Sequence, residues 1–179
     1  ATMLAYVVTD VAIAAPLLDR ALREAVDASF NMITVDGDTS TNDMVGVMAN
    51  GLAGNPVIDQ EGPAYDRFRE ELKKHCIELA QQIVADGEGA TKQIQYTVEG
   101  APSDADARRV ARTISDSNLV KTAFFGRDPN WGRIVGAAGR AGVDFTPEKV
   151  DLHLGSSKQL HQILAGGQPL PVERRKLKS

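Results

Sequence analysis

The chain has 179 residues, 42% hydrophobic and 25% charged, which is the composition of one globular domain with room for a small second lobe. Its net charge of −4 gives no general electrostatic case for nucleic acid or an anionic membrane. The apolar runs are too short to span a bilayer, no signal peptide is visible, and a single cysteine, Cys76, excludes an internal disulfide framework and fits a reducing, cytoplasmic setting.

Met3 to Thr9 is mostly apolar and predicts a buried strand. Asp10 to Phe30 reads as a helix, with Pro16 in its first turn and Leu17, Leu18, Ala21, Leu22, Ala25 and Val26 as an apolar stripe. Met32 to Val35 predicts a short strand, and Val45 to Ala49 another. Between them Asp36 to Asp43 is built wholly of Asp, Gly, Thr, Ser and Asn. Gly51 to Gly62 reads as a loop. Pro63 to Ala85 is the clearest helix, with Phe68, Leu72, Cys76, Leu79 and Ile83 on one face and Gly87 placed to cap it.

Lys92 to Glu99 alternates Ile94, Tyr96 and Val98 with polar residues, as a half-exposed strand should. Ser103, with Asp106 three residues on, caps a helix to about Ser117. Val120 to Phe125 predicts a strand, Trp131 to Ala141 a helix rich in Gly and Ala, and Val150 to Leu154 a last strand. Residues 1–155 form the main domain. Residues 156–179 are weakly patterned and end in the basic run Glu173-Arg174-Arg175-Lys176-Leu177-Lys178-Ser179. Strands and helices intermix, so the class is mixed α/β.

Four stretches are candidates for chemistry. The first is Ala1-Thr2. If the chain is cut between them, Thr2 carries a hydroxyl and a free α-amine, and that amine, with a pKa of roughly 7.7–8.0, is a base for its own hydroxyl. With Ala1 attached the same nitrogen is an amide and cannot serve. The second is the polar segment from Asp36 to Asp43. It is longer than a tight hairpin requires, and a hydrogen-bonded turn is its bland reading. Its Asp36-x-Asp38-x-Ser40 start imitates a calcium loop, but the glycine and glutamate that such a loop needs are missing.

The third is Asp86-Gly87-Glu88-Gly89-Ala90-Thr91-Lys92, in which Glu88 and Lys92 offer one charge for an amino acid's ammonium and one for its carboxylate. A solvated helix-to-strand turn is the alternative. The fourth is Gly126-Arg127-Asp128-Pro129-Asn130-Trp131-Gly132-Arg133, which also reads as a loop and helix cap anchored by the only tryptophan. His75, His153, His161 and Cys76 have no zinc-ligand spacing, and no metal is expected.

In their order, the start ATMLAYVVTD, the block ITVDGDTSTND, the turn IVADGEGATK and the stretch AFFGRDPNWGRI make the chain resemble the ornithine acetyltransferase family, also called glutamate N-acetyltransferases. The resemblance covers roughly residues 1–155 and is to the β chain of a self-cleaved precursor. It implies a layered α/β (mixed α+β) fold like that of the self-cleaving β-peptidyl aminopeptidases, completed by an α chain. It implies cleavage at Ala1–Thr2, Thr2 as catalytic nucleophile, and Thr2 and Glu88 as substrate-contacting residues. The implied reaction moves an acetyl group from N-acetylornithine to glutamate through acetyl-Thr2, in the cyclic arginine pathway. No cofactor is implied, although some members also use acetyl-CoA as donor. The oxyanion-hole pair and a substrate-binding lysine belong to the α chain, and α2β2 heterotetramers are common. The family's C-terminal Asn and Thr contacts have no counterpart in VERRKLKS. A hydrolytic N-terminal-nucleophile amidase or peptidase, and a non-catalytic half-enzyme, are the alternatives.

Overall fold

In a computed structural model, residues 2–156 and 158–171 are described. The Ala1–Thr2 junction and the basic C-terminal run therefore lie outside the described residues. The chain folds as two compact units, Ala1–Ala90 and Thr91–Ser179.

The first unit is a β-α-β arrangement with a second helix laid on it. Strand β1 (Leu4–Thr9) pairs parallel with β2 (Met44–Ala49), Leu4 opposite Met44 and Thr9 opposite Ala49. Helix α1 (Ala15–Ala28) lies between them in the chain, as a parallel crossover requires. Helix α2 (Pro63–Ala85) has the bounds its periodicity predicts and packs on α1. Ala21 and Ala25 of α1 are fully buried against an apolar cluster that includes Tyr65, Leu72, Cys76 and Ala80 of α2. Side chains this small let the two helix axes approach closely. Ala5, Val7, Val45 and Val47 close the same core from the sheet.

The alternation of the strands leaves Leu4, Tyr6 and Val8 of β1 and Met44 and Met48 of β2 on the other face. All five are more than two-fifths exposed, and Val8 is 69% exposed. Two sequence expectations change in this unit. Helix α1 begins at Ala15 rather than Asp10, because the preceding backbone is engaged elsewhere. The Ala12 N–H donates to Asn55 Oδ1 at 2.9 Å, and Ile13 forms a parallel bridge with Ile58. The expected strand at Met32–Val35 is instead a 3₁₀ turn at Phe30–Met32, formed as the Met32 N–H donates to the Ser29 carbonyl (2.9 Å) and Phe30 turns into the core.

In the second unit, α3 (Asp104–Ser115) is capped as expected: Ser103 Oγ accepts from the Asp106 N–H at 3.1 Å. Val120–Phe125 is not a strand but part of α4 (Asn118–Phe125), capped by Ser117 and burying Val120 and Ala123. A short apolar run does not by itself separate a buried strand from a buried helix; here the serine cap decides. Helix α5 (Trp131–Ala138) follows, ending at Ala138, with Gly139 as its C-cap, rather than at Ala141. The sheet of this unit is an antiparallel meander of β3 (Leu152–Ser156), β4 (Gln159–Ala165) and β5 (Gln168–Pro169). Strands β4 and β5 thus occupy part of the 156–179 segment. Residues 92–99 have the expected alternation in burial but form no strand among the described residues. Ile114, Val120, Ile134 and Ala137 form the core, joined by Tyr96, whose ring meets Phe124 edge-on at 6.2 Å.

Candidate active site around Thr2

Thr2 lies two residues ahead of the first residue of β1 and is exposed. Its Oγ1 lies 2.8 Å from Ser40 Oγ, in the middle of the polar segment. The crossover explains the meeting. Parallel pairing sets the starts of β1 and β2 side by side, so residues just before β1 adjoin residues just before β2.

Asp43 fastens this arrangement. Its Oδ1 accepts from the Met3 N–H at 2.9 Å and its Oδ2 from the Ser40 N–H at 3.0 Å. The Met44 N–H then donates to the Met3 carbonyl at 2.9 Å, the first rung of the sheet. These two backbone donors, Met3 first, hold the Asp43 carboxyl below the usual carboxylate range. Within the loop, Ser40 Oγ also accepts from the Asn42 N–H (3.2 Å), and Asp36 Oδ1 from the Asp38 N–H (2.9 Å), which lowers the Asp36 pKa. The expected hydrogen-bonded turn is therefore present: its side chains bond its own backbone, and one of them, Ser40, sets a hydroxyl against Thr2.

Glu88 is exposed in the turn that follows α2. The left-handed conformation there falls on Gly89, with φ +67°, and not on Gly87, which was the expected cap. Gly87 packs tightly instead; a Cβ on it would lie 3.2 Å from Val35 Cγ1. Val35 adjoins Asp36, so the Glu88 turn packs against the start of the loop that holds Ser40. The end of α2 and the start of β1 also line one open groove, formed by Leu4, Ala5, Tyr6, Leu79, Gln82, Ile83 and Asp86.

Lys92 belongs to the second unit, where its Nζ lies 3.4 Å from the Phe125 carbonyl and 5.9 Å from the Phe125 ring centre. The Gly126–Arg133 stretch has an evident structural role. Arg127, at φ 53°, ends α4, Asn130 Oδ1 caps α5 by accepting from the Arg133 N–H (3.1 Å), and Arg133 reaches back to the Leu119 carbonyl at 3.0 Å. Among the described residues no group of three or more His, Cys, Asp or Glu side chains is placed to hold a metal, and no helix is long and apolar enough to cross a membrane.

Sequence reasoning singled out the polar segment, but noted Ser40 only in a calcium-loop spacing that it rejected and did not single out Asp43. The available signal was the crossover, since a β-α-β unit puts whatever precedes its second strand beside whatever precedes its first.

Fold and site together define a mixed α+β protein in which a threonine hydroxyl ahead of the first strand is held against an Asp- and Ser-bearing loop. The profile of the ArgJ family matches residues 1–179, and the chain belongs to that family. It is 51% identical over 171 residues to the arginine biosynthesis bifunctional protein ArgJ of Geobacillus stearothermophilus, covering 96% of this chain and 41% of that protein. It is 54% identical over 173 residues to the protein of the same name from Symbiobacterium thermophilum, covering 97% of this chain and 42% of that one. The chain therefore spans about two-fifths of the length of these relatives. The crystal structure of the Bacillus halodurans arginine biosynthesis bifunctional protein ArgJ superposes with a TM-score of 0.90 at 43% identity, over 99% of this chain and 81% of that one.

Proposed function

We propose that this chain is the catalytic β half of a self-cleaved acetyltransferase of arginine biosynthesis, and that Thr2 carries the acetyl group between N-acetylornithine and glutamate. The contact between Thr2 and Ser40 carries this reading, because it holds the candidate nucleophile's hydroxyl in place just ahead of β1 rather than on a free tail. Cleavage before Thr2 frees its α-amine, which takes the hydroxyl proton as Oγ1 attacks the acetyl carbonyl. The C–N bond to ornithine then breaks, with the proton delivered to the departing nitrogen. In the second half the glutamate amine attacks acetyl-Thr2, the C–Oγ1 bond breaks, and Oγ1 regains its proton.

Glu88 serves as the carboxylate that receives a substrate ammonium, a role supported by the packing of its neighbour Gly87 against Val35, just ahead of the loop that holds Ser40. The remaining three-fifths of the relatives' length supplies the partner α chain, with an α2β2 assembly in the cytoplasm. The apolar face of β1 and β2 supports such a partner, since exposed patches of this kind mark interaction surfaces. Acetyl-CoA is an alternative donor to the same Thr2.

The test is brief incubation of the complete two-chain protein with N-acetylornithine, followed by mass spectrometry. One acetyl group on the peptide beginning with Thr2, discharged on addition of glutamate, is expected. An unmodified peptide in a preparation that releases ornithine overturns the reading. Discharge at the same rate without glutamate would make the protein a hydrolase.

A further inference from the structure

The Thr2 hydroxyl has a partner whose chemistry the reaction changes. Ser40 Oγ, 2.8 Å away, already accepts the Asn42 N–H, and the Ser40 backbone is fixed through its N–H on Asp43. Ser40 is half-buried; its backbone is held by Asp43, and its side chain cannot swing away without giving up the Asn42 N–H. In the resting pair either hydroxyl can donate. Once Thr2 has given up its proton, Oγ1 has only lone pairs, and the same is true of the ester oxygen in acetyl-Thr2. From that moment the contact survives only with Ser40 as donor.

We propose that Ser40 is a second catalytic hydroxyl of this site, donating its O–H to Thr2 Oγ1 as that oxygen becomes negative, both when it attacks and when it leaves. The proposal rests on the assignment of Thr2 as the acetyl-carrying nucleophile. In the first half the C–Oγ1 bond forms and the C–N bond to ornithine breaks; in the second the C–Oγ1 bond breaks and the C–N bond to glutamate forms. Ser40 keeps its proton throughout and exchanges none with the substrate. The bond strengthens when its acceptor becomes anionic, so it favours the transition states over the ground state. Substrate affinity is left nearly unchanged because Ser40 contacts the nucleophile, not the substrate.

The experiment uses the complete two-chain protein with Ser40→Ala and Ser40→Thr, following Thr2 acetylation by rapid-quench mass spectrometry and steady-state transfer to glutamate. Ser40→Ala is expected to lower kcat and the acetylation rate by about 100-fold, the scale of losing one donor to a developing oxyanion. KM for N-acetylornithine should stay within about twofold, and Ser40→Thr should restore most of the rate. Precursor cleavage is read on the same samples. A block in Ser40→Ala that Ser40→Thr relieves supports the proposal, since cleavage uses the same Thr2 oxygen. Acetylation of Ser40→Ala at the wild-type rate overturns the Ser40 role and leaves the Thr2 assignment standing. Equal loss in Ser40→Ala and Ser40→Thr overturns it too, by assigning the effect to loop packing. Absence of acetyl on Thr2 in the active wild-type protein defeats the Thr2 assignment itself, and this proposal with it.

Discussion

The Met3 N–H donates to Asp43 Oδ1 at 2.9 Å while the other oxygen of the same carboxylate holds the Ser40 N–H, so one side chain fixes both residues that orient the Thr2 hydroxyl. The two donors lie 37 positions apart in the chain but side by side in space, and no other side chain among the described residues bonds to both.

Asp43→Ala should therefore leave the fold of the first unit intact and disable its chemistry. The core of α1 and α2 does not involve Asp43, but Thr2 and Ser40 lose their common anchor. A 10- to 100-fold loss of acetylation rate is expected from the misplacement, and Asp43→Asn should be intermediate, since the two donors use different oxygens of the carboxylate and the amide keeps only one of them as an acceptor. The pH dependence follows from the direction of the Asp43 shift. Its folded pKa is depressed, so the clamp's contribution is complete above the unfolded value of about 3.9. It is lost as pH falls through the lower folded value. Hydrogen exchange at the Met3 and Ser40 amides, corrected for intrinsic rate, should show protection that persists at the ordinary carboxylate pKa and is lost only as pH falls through the lower folded value in the wild type, and that is absent at all pH values in Asp43→Ala.

Glu88 tests whether the turn after α2 is substrate machinery or a solvated connection. Its side chain is exposed and its backbone is shaped by Gly87 and Gly89, so Glu88→Gln perturbs charge and little else. A charge-assisted hydrogen bond to a substrate ammonium is worth about 1.5–3 kcal/mol, which makes the expected loss in kcat/KM for N-acetylornithine roughly 10-fold or more. Glu99→Gln, another exposed carboxylate, should change nothing measurable. Unaltered kcat/KM in Glu88→Gln returns the turn to a structural role.

The helical framework was legible because its signals are local. Pro63–Ala85 follows from a 3.6-residue stripe, and the starts of α3 and α5 follow from Ser103 and Asn130 as caps. What was not legible depended on distant partners. Nothing local to Asp10–Ala14 reveals that Asn55 and Ile58 will take its backbone. Val120–Phe125 has the composition of a buried strand and becomes a helix because Ser117 caps it and α5 needs its buried face. Thr2 was legible as a candidate nucleophile, but its contact with Ser40 was not, since one hydroxyl among eight polar residues stands out only once parallel pairing has brought it to the start of β1.

On the two-chain reading proposed above, the exposed apolar face of β1 and β2 is the surface offered to the α chain. Register stacks Leu4 on Met44 and Val8 on Met48, with Tyr6 over Gly46 between them; a Cβ on Gly46 would meet the Tyr6 ring at 3.5 Å. Val8 is 69% exposed and Met48 54%, so a charge at either position costs the first unit little while it stays solvated. Burying that charge without a counter-ion under a partner chain costs several kcal/mol. Val8→Glu and Met48→Glu should therefore leave the unfolding temperature of this chain, expressed alone, nearly unchanged, and should cut the yield of co-purified α chain at least 10-fold. Val8→Ala, which removes apolar area without adding charge, should cut it far less. A Val8→Glu protein that still co-purifies in full would show that the partner covers a different surface, and the five exposed apolar side chains would then need another explanation.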